Sequence, residues 1–442
     1  MIWNPAMETL PRADLARLQL ERLQRVAGRV YERVPLFRRR FEEAGITPGA
    51  IRSLDDVARL PFTYKRDFRD EYPFGLFAVP RADLVRIHAS SGTTGKPTVV
   101  GYTRADIATW AELCARCMAA AGARPGDVFQ NAYGYGLFTG GLGMHYGGEL
   151  LGLTVLPVSG GNTERQIMLL QDFDVRVIAC TPSYALTLAE ALAARGITRG
   201  SLAVRVAVLG AEPWTEGMRK EIEAQLGVDA VNIYGLSEVM GPGVSIECAE
   251  AKGGSHIFED HFLPEVVDPQ SGAPLGPGQA GELVITTLTK EAIPVIRYRT
   301  GDVASLNPTP CRCGRTHVRM SAVLGRTDDM LIIRGVNVYP SQVETALLGV
   351  PDLTPHYLLV VTRPRTLDEL EVRVEVGEPL ARELGGTVST AHPRVAALAD
   401  QCAQRLRSML GIGAQVTLAA PGSLPRSEGG KLRRIRDERR LS

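Results

Sequence analysis

The chain has 442 residues, 45% of them hydrophobic and 22% charged, and its 50 basic against 49 acidic side chains leave a formal charge of +1. At about 100 to 200 residues per domain there is room for two to four domains and a large buried core, and the balanced composition excludes wholesale disorder and fibrous repeats. Near-neutrality leaves no global field to draw the chain onto nucleic acid or anionic lipid, so any charged ligand must be met by local groups.

Residues 1–80 read as helical: Leu15, Leu18, Leu23, Val26 and Val30 recur at helical spacing among arginines, with breaks around Pro48 and Pro61. From Leu84 to about Tyr234 short apolar runs (LVRIHA, VFQNA, LTVLPV, VRVIAC, VRVAVLG, AVNIYG) alternate with helical stretches at 104–121, 163–173, 184–194 and 216–226. Such alternation predicts βαβ units, a mostly parallel sheet, and ligands at the carboxyl ends of its strands. After Gly254 turns and short strands, ELVITTLT among them, predict a β-rich subdomain. A compact unit begins near Asp329, with strands YLLVVT and ELEVRVEV, a helix over 395–410 and a basic tail. The expected fold is α/β: a large N-terminal domain over 1–327 with parallel sheets and a β-rich subdomain, then a small mobile α+β domain over 328–442. No run approaches the ~18 apolar residues of a membrane span. The start, MIWNPAMETL, lacks an apolar signal core, so a cytoplasmic protein without membrane or nucleic-acid partners is expected.

Seven cysteines in a chain this long argue for buried thiols or a metal site, not for disulfides. Cys311 and Cys313, in a CxCG turn, with Cys248 and His256 upstream, supply three thiols and an imidazole, a set that fits structural tetrahedral Zn2+. Cys114 and Cys117 fall in a helical stretch with no second pair, which predicts helix packing.

Directly after a predicted strand stands Ser90-Ser91-Gly92-Thr93-Thr94-Gly95-Lys96-Pro97. Small residues let backbone N–H groups close on an anion, hydroxyls add donors and a lysine adds charge, which are the parts of a phosphate cradle. It is not a Walker A loop, because Ser90 stands where that loop has glycine and Pro97 follows the lysine.

The string SSGTTGKPT resembles the phosphate-binding signature of the adenylate-forming superfamily. That superfamily's other segments follow in order: GAEP (Gly210, Ala211, Glu212, Pro213), NIYGLSE (Asn232 to Glu238), YRTGD ending at Asp302, GRTDDM with Arg326 and Asp328, RGVNVYPSQVE, and LPRSEGGKLRR with Lys431. Within it, NAYGYGLFTGG, PVSGGNTERQ, GAEPWTE and YGLSEVMGPGV are similar to the phenylacetate-CoA ligases, and the likeness runs along nearly the whole chain.

The resemblance implies ATP, Mg2+ and CoA as cosubstrates and cofactor, and an organic acid activated as its adenylate. Ser90 through Lys96, with Thr94 catalytic, would cover the phosphates. Gly210 to Pro213, Asn232, Tyr234, Gly235 and Ser237 would border the nucleotide, with Tyr234 flat against adenine. Glu238 would be catalytic as the Mg2+ ligand, because a hard cation needs a carboxylate. Asp302 would accept the ribose hydroxyls, Arg326 would meet the nucleotide, and catalytic Lys431 would bridge the acyl oxygen and α-phosphate. The tail carries one more glycine before this lysine than is usual in the family. Asp328 would be the hinge for a rotation that withdraws Lys431 and brings Gly335, Val336 and Asn337 to the CoA channel.

Tyr133, Tyr135 and Phe138 on the glycine-rich turn can wall a flat slot, with Gly140 and Gly141 leaving room and Ala211 at its border, which suits an aryl acid such as phenylacetate. The rival within adenylation is an enzyme that activates an anthranilate or hydroxybenzoate and passes it to a carrier protein or an amine. A silent nucleotide-binding protein, or a P-loop phosphatase or kinase releasing ADP and phosphate, would be the readings from other classes. Relatives suggest a homodimer, with the helical residues 1–80 as one possible interface.

Overall fold

The computed structural model describes residues 1–90, 97–327, 331–334, 336–348, 350–364, 367–426 and 434–439. Helices Pro5–Glu8, Arg12–Arg33, Pro35–Glu43 and Lys65–Asp70 form the amino-terminal region. In Arg12–Arg33 the buried stripe is Leu15, Gln19, Leu23, Val26, Ala27 and Val30, the three- and four-residue spacing of one helix face. Gln19, not Leu18, takes the inward position there, because its amide donates to the Glu259 carbonyl at 3.0 Å. The helix stops at Val34, held extended by the following Pro35.

A nine-stranded sheet is the centre of the molecule, in the order Leu306–Asn307, Arg319–Met320, Ser255–Ile257, Gly241–Ile246, Asp229–Leu236, Val206–Gly210, Val175–Cys180, Val128–Asn131 and Thr154–Leu156. The last five run parallel, joined by helices Gly140–Leu151, Thr163–Asp172, Pro182–Ala194 and Glu216–Leu226, and the first four extend the sheet antiparallel. The chain leaves Val128–Asn131 for one neighbour, Thr154–Leu156, and then crosses to the other, Val175–Cys180. That reversal opens a crevice at the carboxyl ends of the two inner strands, where α/β sheets bind ligands.

One expected strand behaves differently. Leu84–Ser90 does not open the parallel sheet but pairs antiparallel with Thr98–Thr103 in a two-stranded hairpin. The connection between them is too short for the crossover of a dozen or more residues that a parallel partner requires. Helix Gly140–Leu151 lies unusually close to Arg104–Ala121: a Cβ on Gly143 would stand 2.5 Å from the Trp110 ring, and one on Gly147 2.3 Å from Cys114. Cys114 and Cys117 are both buried in this packing.

The β-rich region is a four-stranded antiparallel sheet, Phe262–Val267, Gly281–Thr287, Tyr298–Ala304 and Gly325–Arg326. Beyond it, hairpin Leu331–Ile333 and Val336–Val338, helices Pro340–Leu348 and Pro393–Leu410, and a sheet ordered Gln415–Ala419, Glu369–Val376, Leu353–Thr362, Ile435–Asp437 enclose an apolar core of their own. This unit rests on helices Pro182–Ala194 and Glu216–Leu226: Thr215 Oγ1 donates to Glu344 at 2.7 Å, and His356 Nε2 meets Glu190 at 2.7 Å. None of the helices among the described residues is long and apolar enough to cross a membrane.

Candidate active site

The hairpin Leu84–Ser90/Thr98–Thr103 presents the segment read as a phosphate cradle, of which Ser91, Gly92, Thr93, Thr94, Gly95 and Lys96 lie outside the described residues. Its base is fastened to the glycine-rich turn: the Ala89 amide donates to the Leu137 carbonyl at 2.9 Å, and His88 Nδ1 contacts the same oxygen at 3.0 Å.

That turn leaves the carboxyl end of Val128–Asn131 at the sheet's reversal. Tyr133 is buried, with its hydroxyl facing the Gly210 backbone. Asn131 Nδ2 donates to the Tyr135 hydroxyl at 2.8 Å, which meets His145 Nδ1 at 3.2 Å, and burial pushes the Tyr135 phenol up to about 12. Phe138 is 39% exposed. Gly140 and Gly141, expected to leave room for a ring, do not: a Cβ on Gly141 would lie 2.6 Å from the Gly134 carbonyl, and one on Gly140 2.9 Å from Phe138. The missing side chains admit the turn's own backbone and ring.

The next segment follows Val206–Gly210. A Cβ on Gly210 would stand 2.2 Å from the Ile233 carbonyl oxygen, so glycine is what lets this strand end lie against its neighbour. Ala211 then adopts a left-handed φ of 71°, a conformation that costs a non-glycine residue about 1–3 kcal/mol. The turn aims Glu212 at the amino end of helix Pro182–Ala194, where its carboxylate accepts the Ser183 amide at 2.6 Å, and leaves Pro213 exposed. Asn232, expected to border the nucleotide, accepts the Trp214 indole N–H at 2.9 Å and thereby braces this loop.

Tyr234, Asp302 and Arg326 converge. The Tyr234 hydroxyl donates to Asp302 Oδ2 at 2.6 Å, and Arg326 Nη1 donates to Oδ1 at 2.9 Å across the Asp302/Arg326 register pair. Burial, and then the Asp302 carboxylate, hold the Tyr234 phenol well above its ordinary value, so it stays a donor. Gly235 permits the turn into the next strand, since a Cβ there would be 2.0 Å from the Gly241 carbonyl. Ser237 Oγ lies 3.1 Å from Thr139 Oγ, tying this segment to the glycine-rich turn. Glu238 is 7% exposed, and among the described residues no hydrogen bond engages its carboxylate.

Sequence reading missed a basic cluster behind the hairpin. Lys290 is 2% exposed, its Nζ lies 4.4 Å from the centre of the Tyr102 ring, and no described residue accepts its hydrogen bonds. Burial pushes its ammonium down to about 8 against the pull of Asp106 and Glu238. His88 Nε2 and Arg86 Nη1 are likewise buried without partners among the described residues. The available signal was a lysine ending the apolar strand ELVITTLTK.

Remaining candidates lie elsewhere. Cys248, His256, Cys311 and Cys313 bring their donor atoms within 4.8 Å of one another. Val336 packs on the small unit's core; Asp328, Gly335 and Lys431 lie outside the described residues, as do the side chains of Ser90 and Asn337. The segment bearing Lys431 is framed by Arg426, bound to Glu375 at 2.7 Å, and by Arg434, stacked 4.4 Å from the Tyr357 ring centre.

The hairpin, the glycine-rich turn, the Ser237 segment, the Gly210 loop and the Tyr234–Asp302–Arg326 cluster thus form one continuous run of contacts. The sequence models of two families match the chain, AMP-binding enzyme over residues 53–289 and AMP-binding enzyme C-terminal domain over 335–439. A phenylacetate-coenzyme A ligase of Thermus thermophilus is 60% identical over 100% of both chains. The chain belongs to the phenylacetate-coenzyme A ligase family of AMP-binding enzymes. Among solved structures, a 2-hydroxyisobutyryl-CoA ligase in the postadenylation state with R3-HIB-AMP is 30% identical, with a TM-score of 0.91, 99% of this chain and 92% of that one being covered. The same ligase in its thioesterification state with 2-HIB-AMP and CoA is 31% identical and scores 0.72, over 98% and 92% of the two chains. The likeness is thus greater to that ligase's postadenylation structure than to its thioesterification structure.

Proposed function

We propose that the protein is an ATP-dependent ligase that joins phenylacetate to CoA. In the first half-reaction a carboxylate oxygen of the acid attacks the α-phosphorus of ATP and pyrophosphate leaves. In the second, the CoA thiol loses its proton, the sulfur attacks the acyl carbon, and AMP departs with the electron pair of the broken acyl–oxygen bond. The observation that carries this reading is the run of contacts from the Leu84–Ser90 hairpin through the glycine-rich turn, the Tyr234 to Ser237 segment and the Gly210 loop to Asp302 and Arg326, around the carboxyl ends of the parallel strands.

The chemistry asks for charge neutralisation and in-line placement more than for covalent assistance. Asp302, oriented by Tyr234 and Arg326, is suited to accept the ribose hydroxyls, while the Gly210–Pro213 loop and Tyr234 would border the base. The hairpin loop, Thr94 and Lys96 included, would cover the departing phosphates, and Lys431 would stabilise charge between the acyl oxygen and the α-phosphate. Glu238 fits a Mg2+ ligand, being a buried carboxylate that no described hydrogen bond engages, and the ion would neutralise phosphate oxygens there. Tyr133, Tyr135 and Phe138 would meet the aryl group. The division at Asp328 into domains 1–327 and 328–442 would let the small unit, with Gly335, Val336 and Asn337, turn toward CoA for the second half-reaction. Cys248, His256, Cys311 and Cys313 are read as a structural Zn2+ site. A cytoplasmic homodimer completes the reading.

The test is acid-dependent exchange of pyrophosphate into ATP across phenylacetate, ring-hydroxylated phenylacetates, benzoates and fatty acids, followed by CoA or a carrier protein as acceptor. Phenylacetate should exchange fastest and CoA should accept the acyl group; exchange with fatty acids alone would reject the aryl assignment.

A further inference from the structure

The Cys248, His256, Cys311 and Cys313 group stands apart from the chemistry just described. It joins three pieces of chain: the turn after strand Gly241–Ile246, strand Ser255–Ile257, and the Cys311–Gly314 turn closed by the Gly314 amide on the Cys311 carbonyl at 3.0 Å. Gly314 has a left-handed φ of 90°, which glycine adopts without strain.

Two features of the group are those of a metal site. Tetrahedral Zn2+, about 2.3 Å from sulfur and about 2.0–2.1 Å from nitrogen, requires S···S edges of about 3.8 Å and S···N edges of about 3.5 Å. The Cys248 and Cys311 sulfurs are 3.7 Å apart, and Cys313 Sγ is 3.5 Å from His256 Nε2. A disulfide would need about 2.05 Å. The second feature is the histidine tautomer. His256 Nδ1 faces the His317 carbonyl at 3.3 Å, and a carbonyl only accepts, so Nδ1 carries the proton and Nε2 turns its lone pair to the thiols. Metal-bound histidines are oriented by this kind of outer hydrogen bond.

Arg315, Thr316 and His317, which follow this turn, each hold the amino terminus. Arg315 Nε donates to Glu8 at 2.6 Å, both side chains being essentially inaccessible, and Arg315 Nη2 donates to the Met1 carbonyl at 2.8 Å. The Thr316 amide donates to the Glu8 carbonyl at 3.1 Å, Thr316 Oγ1 to the Leu10 carbonyl at 2.8 Å, and His317 Nε2 meets the Met7 carbonyl at 3.1 Å. Glu8 in turn accepts the Trp3 and Asn4 amides at 3.0 and 2.8 Å. His317 serves both sides, with its carbonyl on His256 and its ring on Met7.

We infer that zinc at Cys248, His256, Cys311 and Cys313 is the anchor of the amino-terminal arm: by fixing the strip 311–317 it holds residues 1–10 on the body of the protein. The inference rests on the zinc reading above and adds what the metal is for. Without the metal, three thiols crowd one imidazole with nothing to bind them, and the strip loses its fixed end while the arm depends on it for a buried ion pair.

The experiment is elemental analysis of full-length protein from zinc-supplemented culture, then hydrogen exchange by mass spectrometry before and after removal of the metal with a chelator. One zinc per chain is expected, with exchange in residues 1–10 and 311–318 at least about tenfold faster after removal and little change in helix Pro182–Ala194. Glu8→Gln should release the arm while keeping the zinc, and Cys313→Ser should lose both. Protein without zinc overturns the zinc reading and this inference together. Zinc present with an arm indifferent to its removal, or with exchange rising evenly along the whole chain, overturns the anchor alone.

Discussion

Tyr234 and Asp302 lie 68 residues apart in the chain and share a 2.6 Å hydrogen bond that joins the central parallel strands to the β-rich sheet. Arg326 takes the other carboxylate oxygen, so one acidic group is held by a phenol and a guanidinium from separate segments.

The bond should be visible in nucleotide affinity. A hydrogen bond to a charged group contributes about 1.5–3 kcal/mol, so Tyr234→Phe is expected to raise the KM for ATP by roughly 10- to 100-fold in pyrophosphate exchange. Asp302→Ala should cost more, and the KM for the acid should move little in either variant. ATP saturation unchanged in both would remove this pair from the nucleotide site.

Gly235 tests the packing beneath it. The nearest atoms to an added Cβ are the Gly241 carbonyl oxygen at 2.0 Å and Pro242 Cα at 2.8 Å, backbone that cannot swing aside. Gly235→Ala should therefore destabilise the protein by about 1–3 kcal/mol and displace Tyr234 as well. Urea unfolding monitored by fluorescence measures the first effect; a wild-type midpoint would contradict the close approach.

Lys290 predicts a pH dependence of defined sign. Burial depresses its folded-state value to about 8 from an ordinary 10.5, so between those pH values the unfolded chain binds a proton that the folded protein does not. Stability from this group must rise with pH across that window, and the cost of burying the ammonium is fully present below about pH 8. Relative to Lys290→Met, the wild type should gain roughly 3 kcal/mol in unfolding free energy on passing from about pH 7.5 to about pH 10.5. A difference between the two proteins that stays flat over that range would rule the depressed value out.

How far the fold can be read beforehand depends on the range of the forces involved. The 206–210 strand and the 182–194 helix are legible because apolar periodicity and capping act within a few residues. The thiols and imidazole of the metal-like group are legible because few other chemistries use that set. Residues 84–90 read as a parallel strand and form a hairpin instead, since strand propensity carries no information about which partner a strand takes.

The sequence alone determined the order of the segments, the residue types suited to phosphate, ribose and metal, and the alternation that makes a parallel sheet. Only the tertiary structure decided who touches whom. It set Asn232 on Trp214, filled the space beside Gly141 with the Gly134 carbonyl, and sealed Lys290 against Tyr102. These outcomes follow from close packing between segments distant in the chain, where excluded volume and unmet hydrogen bonds choose among positions that local patterning leaves equivalent.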